Sequence, residues 1–385
     1  MEILIILRPS ALKELVRNTT QEVLMKVFVK FVILFILFLS PAMALDRRNV
    51  SAGEVVIEPM ITNLNKPWSI GFLSDGGVLL TERGGRLLHV SKGGSVQDVA
   101  GLPPIFVKNQ GGLFDIVPAR DFESSSIVYL TYVAKVRGGG ATSLAQARLS
   151  YDRTQLLDFN LLYQQADASS SGIHFGGRVA EAPDGSLFLT VGDRGERDLA
   201  QDEGSSNGKV IYISADRTET EIWSIGHRNP QGAAIDISGD LLISEHGPQG
   251  GDELNLPEKG LNYGWPVITF GEEYGGGLIG VGSSSPGMEQ PLLHWTPSIA
   301  PSGLMVYSGK LWPQWRGSVF AGSLKFNFIS RMVKEGKGYL EVERLFVDQY
   351  IRIRDIREAP DGTIWFLAEI PGIAYRMKPI NFDSN

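Results

Sequence analysis

Six times along the chain a turn leads into a short apolar strand, and this recurrence constrains the fold more than any other feature. The strands occupy residues 77–81, 126–131, 186–190, 240–244, 317–321 and 362–367. Four of them follow a turn ending in glycine: Asp75-Gly76, Asp184-Gly185, Ser238-Gly239 and Asp361-Gly362. Turn residues that bound apolar or alternating runs of this length mark strands. Most intervals between their starts are about 45 to 60 residues, enough for one four-stranded blade apiece. The spacing predicts an all-β chain, a six-bladed β-propeller of four-stranded antiparallel blades forming one domain over residues 45–385. A two-sheet sandwich is the structural alternative, and the 45 glycines suit either fold. The one longer interval, 77 residues from Asp240 to Gly317, marks an insertion expected from about Pro248 to Pro291.

The first 44 residues stand apart from this pattern. Lys26 and Lys30 form a basic start, residues 31–39 an apolar run short for a bilayer span, and Ala42-Met43-Ala44 a small-residue cleavage site. That is the layout of a secretory signal peptide, with Met25 as the expected translation start and cleavage after Ala44. The mature protein is expected to be exported, periplasmic or secreted, with no stable membrane insertion. No cysteine occurs, which excludes disulfides and thiolate metal sites. Removing residues 1–44 leaves 31 basic and 40 acidic side chains, a net charge of −9. Such a chain is a poor partner for nucleic acid or an anionic membrane.

Polar motifs beside the strands carry the chemistry. His174 sits in a glycine-flanked segment before the Pro183–Gly185 turn, and Asp193 follows the next strand. An imidazole accepts a proton near neutral pH, and loops on a rigid strand scaffold are where catalysis concentrates. If the blades repeat about an axis, equivalent loops converge on one mouth, so His174, Arg228, Lys325, Arg352 and Arg354 would share a cavity. Five basic side chains gathered in a net-acidic chain suit a small polyanion, and arginine's planar fork suits carboxylates. Arg352 and Arg354 alternate on an expected strand and so point to one face. The segment 245–255, followed by 260–266, clusters carboxylates, amides and glycine-freed carbonyls, a hard-cation site of the calcium type without EF-hand spacing.

In order, H-F-G-G-R (174–178), G-H-R-N-P-Q-G (226–232), S-E-H-G-P-Q-G-G-D-E-L-N (244–255), G-L-N-Y-G-W-P (260–266), S-L-K (323–325) and R-I-R-D (352–355) resemble the soluble quinoprotein aldose sugar dehydrogenases. These belong to the glucose/sorbosone dehydrogenase group of six-bladed propellers and use pyrroloquinoline quinone (PQQ) with calcium. The resemblance runs from about Val55 to Met377. It implies that His174 takes the proton of the anomeric hydroxyl while hydride passes from C1 to the quinone, with Asp193 behind the histidine. It implies cofactor contacts from Gln110, Arg228 and Asn229 near the reactive carbonyls. A carboxylate clamp of Lys325, Arg352 and Arg354 follows, with Gly322, Ser323, Leu324 and Ile353 along the adjoining backbone and Tyr274 over the cofactor plane. Gly247 and Pro248 carbonyls match ligands of the calcium that polarises the quinone; Glu253 and Tyr263 match a structural calcium site.

One position departs from the pattern. Ile173 precedes the histidine where glucose-oxidising members carry an aspartate that reads a sugar hydroxyl, and a site without that polar reader discriminates weakly among aldoses. A broad aldose range is therefore expected, with a separate electron acceptor, because no haem-attachment motif is present, and a monomer. The rival readings are a calcium-dependent sugar-lactone hydrolase, which needs no tricarboxylate clamp, and a non-catalytic secreted binding propeller.

Overall fold

The computed structural model describes residues 46–382. The expected signal peptide, its start and its cleavage site lie outside the described residues. Within them the chain passes through six small sheets in sequence order. Blade one holds Pro67–Phe72, Val78–Glu82, Arg86–Val90 and Val96–Asp98; blade two holds Leu113–Pro118, Ile127–Val136, Gly139–Leu149 and Leu156–Gln164. Blade three holds Gly176–Glu181, Leu187–Val191, Lys209–Ile213 and Thr220–Ile225, and the short strand Leu261–Asn262 joins its outer edge in parallel. Blade four holds Pro230–Ile235, Leu241–Glu245, Asp252–Asn255 and Leu293–Trp295; blade five holds Pro301–Val306, Val319–Ser323, Ile329–Glu335 and Gly338–Leu345. Blade six takes Ile351–Glu358, Ile364–Ile370 and Ile373–Pro379 from the C-terminal end of the chain. Its fourth strand, Gly53–Ile61, comes from the opposite end, with Asp46–Val50 beyond it.

The first strands of successive blades adjoin one another around the ring, the last returning to the first. Gly53–Ile61 locks that ring by pairing antiparallel with Ile373–Pro379, Val55 opposite Pro379 and Ile57 opposite Met377. The fold is a six-bladed β-propeller, as the repeat predicts, and all six marked runs are second strands of different blades. Their sequence signal has a simple cause. Second strands lie between two others and between two blades, so strands such as Leu187–Val191 are buried throughout and read as unbroken apolar runs. The core fills the gaps between neighbouring blades: Leu79 and Leu87 of blade one pack with Leu113, Ile116 and Leu130 of blade two. Each such side chain contributes roughly 1.5–3 kcal/mol by leaving water.

The insertion begins later than its composition suggests. Asp252–Asn255 is the third strand of blade four, pairing with Leu241–Glu245, so the excursion occupies residues 256–292. The polar sequence D-E-L-N hides that strand, because two of its four side chains serve the site rather than the core.

Every innermost strand carries a register shift near its start, between Pro67 and Ser69, Leu113 and Ile116, Gly176 and Val179, Pro230 and Gly232, Pro301 and Leu304, and Ile353 and Asp355. A bulge re-aims the side chains around it. Here it turns polar groups onto the axis. Ser69 Oγ donates to Asp115 Oδ1 at 2.5 Å, Arg178 pairs with Asp115 at 3.2 Å and with Asp355 at 2.9 Å, and all four residues are at most 1 % exposed. Arg357 also reaches Asp115, at 2.7 Å. This buried ionic plug ties together the innermost strands of blades one, two, three and six.

Candidate active site

Antiparallel order puts the start of each innermost strand and the end of each second strand at the same end of the blade. The site is built from those two sets of loops. Entry loops supply Gln110, His174, Arg228, Asn229, Ser298 and Ala300; exit loops supply Arg83, Asp193, His246, Gly247, Pro248, Leu324 and Lys325.

His174 has φ +52, a left-handed conformation uncommon for a non-glycine residue. Its N–H donates to Gln110 Oε1 at 2.8 Å, and its carbonyl accepts from Arg194 N–H at 3.2 Å. Gly192 lets the two loops close, because a Cβ there would fall 2.1 Å from the His174 carbonyl oxygen. His174 Nδ1 lies 2.7 Å from Asp193 Oδ1. The carboxylate is held on every side, by Gly195 N–H at 2.7 Å and by Trp265 Nε1–H at 2.8 Å to Oδ2. Burial pushes the His174 pKa below the ordinary histidine value despite the Asp193 hydrogen bond, which acts to raise it. Burial also acts to raise Asp193, but the His174 contact and backbone donor leave its carboxyl below the usual range. The outcome is a neutral imidazole with Nδ1–H committed to Asp193, which leaves Nε2 as the acceptor. The histidine side chain keeps 13 % of its surface exposed.

Beside it opens a cavity of about 410 Å³. Trp68, Phe114 and Phe175 supply an aromatic wall, with the Arg178 guanidinium 4.0 Å from the Trp68 ring centre. Gln110, Asn229, Leu324, Lys325, Arg352, Arg354, Gly247, Pro248 and Tyr274 all line the cavity. Tyr274 is 73 % exposed at the mouth, on an arm pinned by the Arg197–Glu273 ion pair at 2.5 Å. His174 and Arg228 stand at its edge: His174 meets it through Gln110, and Arg228 Nη1 donates to the His246 and Gly247 carbonyls at 3.1 and 2.9 Å. Gly322, Ser323 and Ile353 lie behind the wall, wholly buried; Ser323 Oγ donates to the Ile299 carbonyl. Ile173 turns its side chain toward Gly195.

Arg352 and Arg354 do reach one place, although not by plain alternation. Arg352 has φ +57 next to the bulge, and both guanidinium groups grip Glu369, Arg352 Nε at 2.7 Å and Arg354 Nη2 at 2.6 Å. Burial acts to raise the Glu369 carboxyl, but the two arginines hold it down at about 2. Glu369, His246, Gln231 and Arg83 are site residues that motif reading missed. For His246, Gln231 and Arg83, a position just past a second strand or beside an innermost bulge is the signal that would have found them; Glu369 lies inside the strand Ile364–Ile370 with no such mark.

Behind the cavity Glu245 gathers a second polar cluster. It accepts from His227 Nδ1 at 2.9 Å, Arg228 N–H at 2.7 Å and Asn255 Nδ2–H at 2.9 Å. Ser224 Oγ sits 2.8 Å from His227 Nε2, which gives the connectivity of a hydrolytic triad. The three residues are at most 4 % exposed, so the serine is sealed from substrate. Glu253 binds the other side of Asn255 at 3.0 Å, and the Tyr263 ring stacks on His227 with centres 5.0 Å apart. Burial, reinforced by Glu245, pushes the Glu253 carboxyl up to about 8. Asn255 Oδ1 is buried without a partner. Paired carboxylates beside an orphaned amide oxygen fit a hard cation, and so do the carbonyls of Gly247 and Pro248. Among the described residues no three His, Asp or Glu side chains form a metal cluster, so amide and carbonyl oxygens would have to supply part of any such site.

A propeller whose buried His174–Asp193 pair adjoins a cationic, aromatic-walled cavity is the class of molecule that the geometry describes. Residues 64–374 match the glucose/sorbosone dehydrogenase family, and the chain belongs to that family. It is 37 % identical over 365 residues to aldose sugar dehydrogenase YliI of Escherichia coli, covering 89 % of this chain and 98 % of that protein. The crystal structure of the soluble aldose sugar dehydrogenase of E. coli in its apo form superimposes with a TM-score of 0.81 at 36 % identity, over 84 % of this chain and 99 % of the other. A PQQ-bound aldose sugar dehydrogenase from Streptomyces coelicolor shares the fold, with a TM-score of 0.69 at 24 % identity over 84 % and 98 % of the two chains.

Proposed function

We propose that this protein is a PQQ-dependent aldose sugar dehydrogenase that oxidises the C1 hydroxyl of aldoses to the lactone. The observation that carries the reading is the His174–Asp193 pair, joined through Gln110 to a cavity lined by Lys325, Arg352 and Arg354. When bound, PQQ supplies a two-electron hydride acceptor. Lys325 and Arg352 would hold its carboxylates, Gln110 and Asn229 its reactive edge, and Tyr274 would cover its plane. Arg228 brings a cation to that edge, where negative charge grows on reduction. Its Nε is buried without a partner, consistent with a ligand acceptor completing it. Calcium would be held by the carbonyls of Gly247 and Pro248, with Glu253 and Tyr263 near a second, structural ion, and would polarise the quinone.

The protein's own step is proton transfer. His174 Nε2 takes the proton from O1 as hydride leaves C1, so the sugar loses two electrons and two protons' worth of hydrogen and becomes the lactone. Asp193 fixes the tautomer and stabilises the imidazolium that forms. With Ile173 directed to Gly195 and no carboxylate in its place, the substrate range is broad. Electrons leave to a separate acceptor. Residues 1–44 direct export and are removed. A dye-linked assay on aldoses, with and without PQQ and calcium, tests the reading: activity should need both additions, and NAD should not replace PQQ. Turnover of chelated protein without PQQ would refute it.

A further inference from the structure

We propose that Arg83 is a further anion-binding residue of the cofactor cavity, recognising a carboxylate of the bound quinone alongside Lys325 and Arg352. The inference rests on the cofactor reading given above. Arg83 directly follows Val78–Glu82, the second strand of blade one. The same exit loop, one or two residues past the second strand, yields Asp193 in blade three, His246 in blade four and Lys325 in blade five, each already at the site. Arg83 lines the cavity, and it lies close enough to Arg354 for the two cations to repel.

Its backbone is fixed while its side chain is not. Arg83 N–H donates to the Lys66 carbonyl at 3.1 Å, and its own carbonyl accepts from Leu113 N–H at 3.1 Å. Gly112 makes the approach possible, since a Cβ there would fall 1.9 Å from the Arg83 carbonyl oxygen and 2.7 Å from its Cγ. The guanidinium itself has no hydrogen-bond or ion-pair partner among the described residues. Arg354 contrasts with it: Nε and Nη2 grip Glu369, and Nη1 donates to Gln231 Oε1 at 3.0 Å. Arg354 is thus spent on protein partners, and Glu369 cancels one of the clamp's charges. The free cations that face the cavity are Lys325, the outer edge of Arg352, and Arg83. A polycarboxylate needs several such donors, and a half-buried arginine without a protein partner is available to supply one.

The test is direct titration of apoprotein with PQQ in calcium, read by quenching of tryptophan fluorescence, with Trp68 in the cavity wall. R83M keeps the aliphatic stem and R83K keeps the charge. R83M should weaken binding by roughly tenfold or more, with a shallower salt dependence. R83K should fall between R83M and wild type. R83M binding PQQ as wild type does would overturn the proposal. Failure of the wild type itself to bind PQQ would instead overturn the cofactor reading. The side chain makes no protein contact that folding needs, so both variants should melt with the wild type; should R83M melt early, the comparison of R83K with R83Q decides.

Discussion

The molecule holds two histidine–carboxylate pairs of nearly equal geometry and different surroundings. His174 meets Asp193 at 2.7 Å and His227 meets Glu245 at 2.9 Å, each through Nδ1. They differ at the second nitrogen. His227 Nε2 is occupied by Ser224 Oγ, and the ring is wholly buried under Tyr263. His174 keeps Nε2 uncommitted at a partly open edge. A carboxylate behind an imidazole does not by itself make a base; a free lone pair within reach of substrate does. The sealed pair serves architecture instead, because Glu245 also holds the Arg228 N–H that starts the next site loop.

Substitutions can pull this contrast apart. His174→Gln should lower kcat by about 10²- to 10⁴-fold, the usual worth of general-base catalysis, while PQQ binding and melting temperature stay near wild type. A variant that keeps more than about a tenth of wild-type turnover would place the base elsewhere. Lys325→Ala or Arg352→Ala should act on binding alone. Each removes a charge-assisted contact worth about 1.5–3 kcal/mol, or roughly 10- to 150-fold in Kd, at nearly unchanged saturated turnover. Normal binding with slow turnover would show that the clamp has been misread.

His227→Gln should show the reverse of His174→Gln. Disturbing the buried Ser224 and Glu245 contacts costs about 1–3 kcal/mol of stability, measurable by denaturant unfolding, while the folded fraction keeps its rate within about an order of magnitude. Equal rate losses in the two histidine variants would erase the distinction between the pairs. The smallest effect is in the pH profile. Burial holds His174 below the ordinary value of about 6.5, so the acidic limb of kcat/KM should fall on the acid side of that value. Between the folded and unfolded pKa values the unfolded chain binds more protons, so stability should decline as pH drops through this window. Asp193→Asn removes the group that raises the His174 pKa and should move the limb further to acid; a limb above 7 would contradict the burial effect.

Much of this was legible in the sequence because burial and turn chemistry write directly into it. Strands such as Leu241–Glu245 are covered on both sides, and their buried starts, here Leu-Leu-Ile, are apolar. The innermost strands were obscure for the converse reason. They begin with segments such as Pro67-Trp-Ser and Gly176-Gly-Arg, whose prolines, glycines and charges serve bulges and the axial plug rather than an alternating face. His174 pairs with Asp193, and Lys325, Arg352 and Arg354 line one cavity, with His174 and Arg228 outside its lining. Glu369 was invisible because nothing local marks it: its role comes from two arginines on the neighbouring strand. Gly322, Ser323 and Ile353 stand in motif, but their side-chain positions are behind the surface those motifs shape.

The meeting of both chain ends in blade six sets a timetable for assembly. Arg352, Arg354 and Glu369 sit on a sheet whose fourth strand is Gly53–Ile61, so an emerging chain waits for its final strand before that sheet can be completed. Arg352, Arg354 and Glu369 therefore lie on the one blade that both regions of the chain must meet to build. Trimming either end should cost cofactor retention before it costs the His174–Asp193 contact three blades away. The seam that closes the ring thus runs through the blade that carries both arginines and the carboxylate they share.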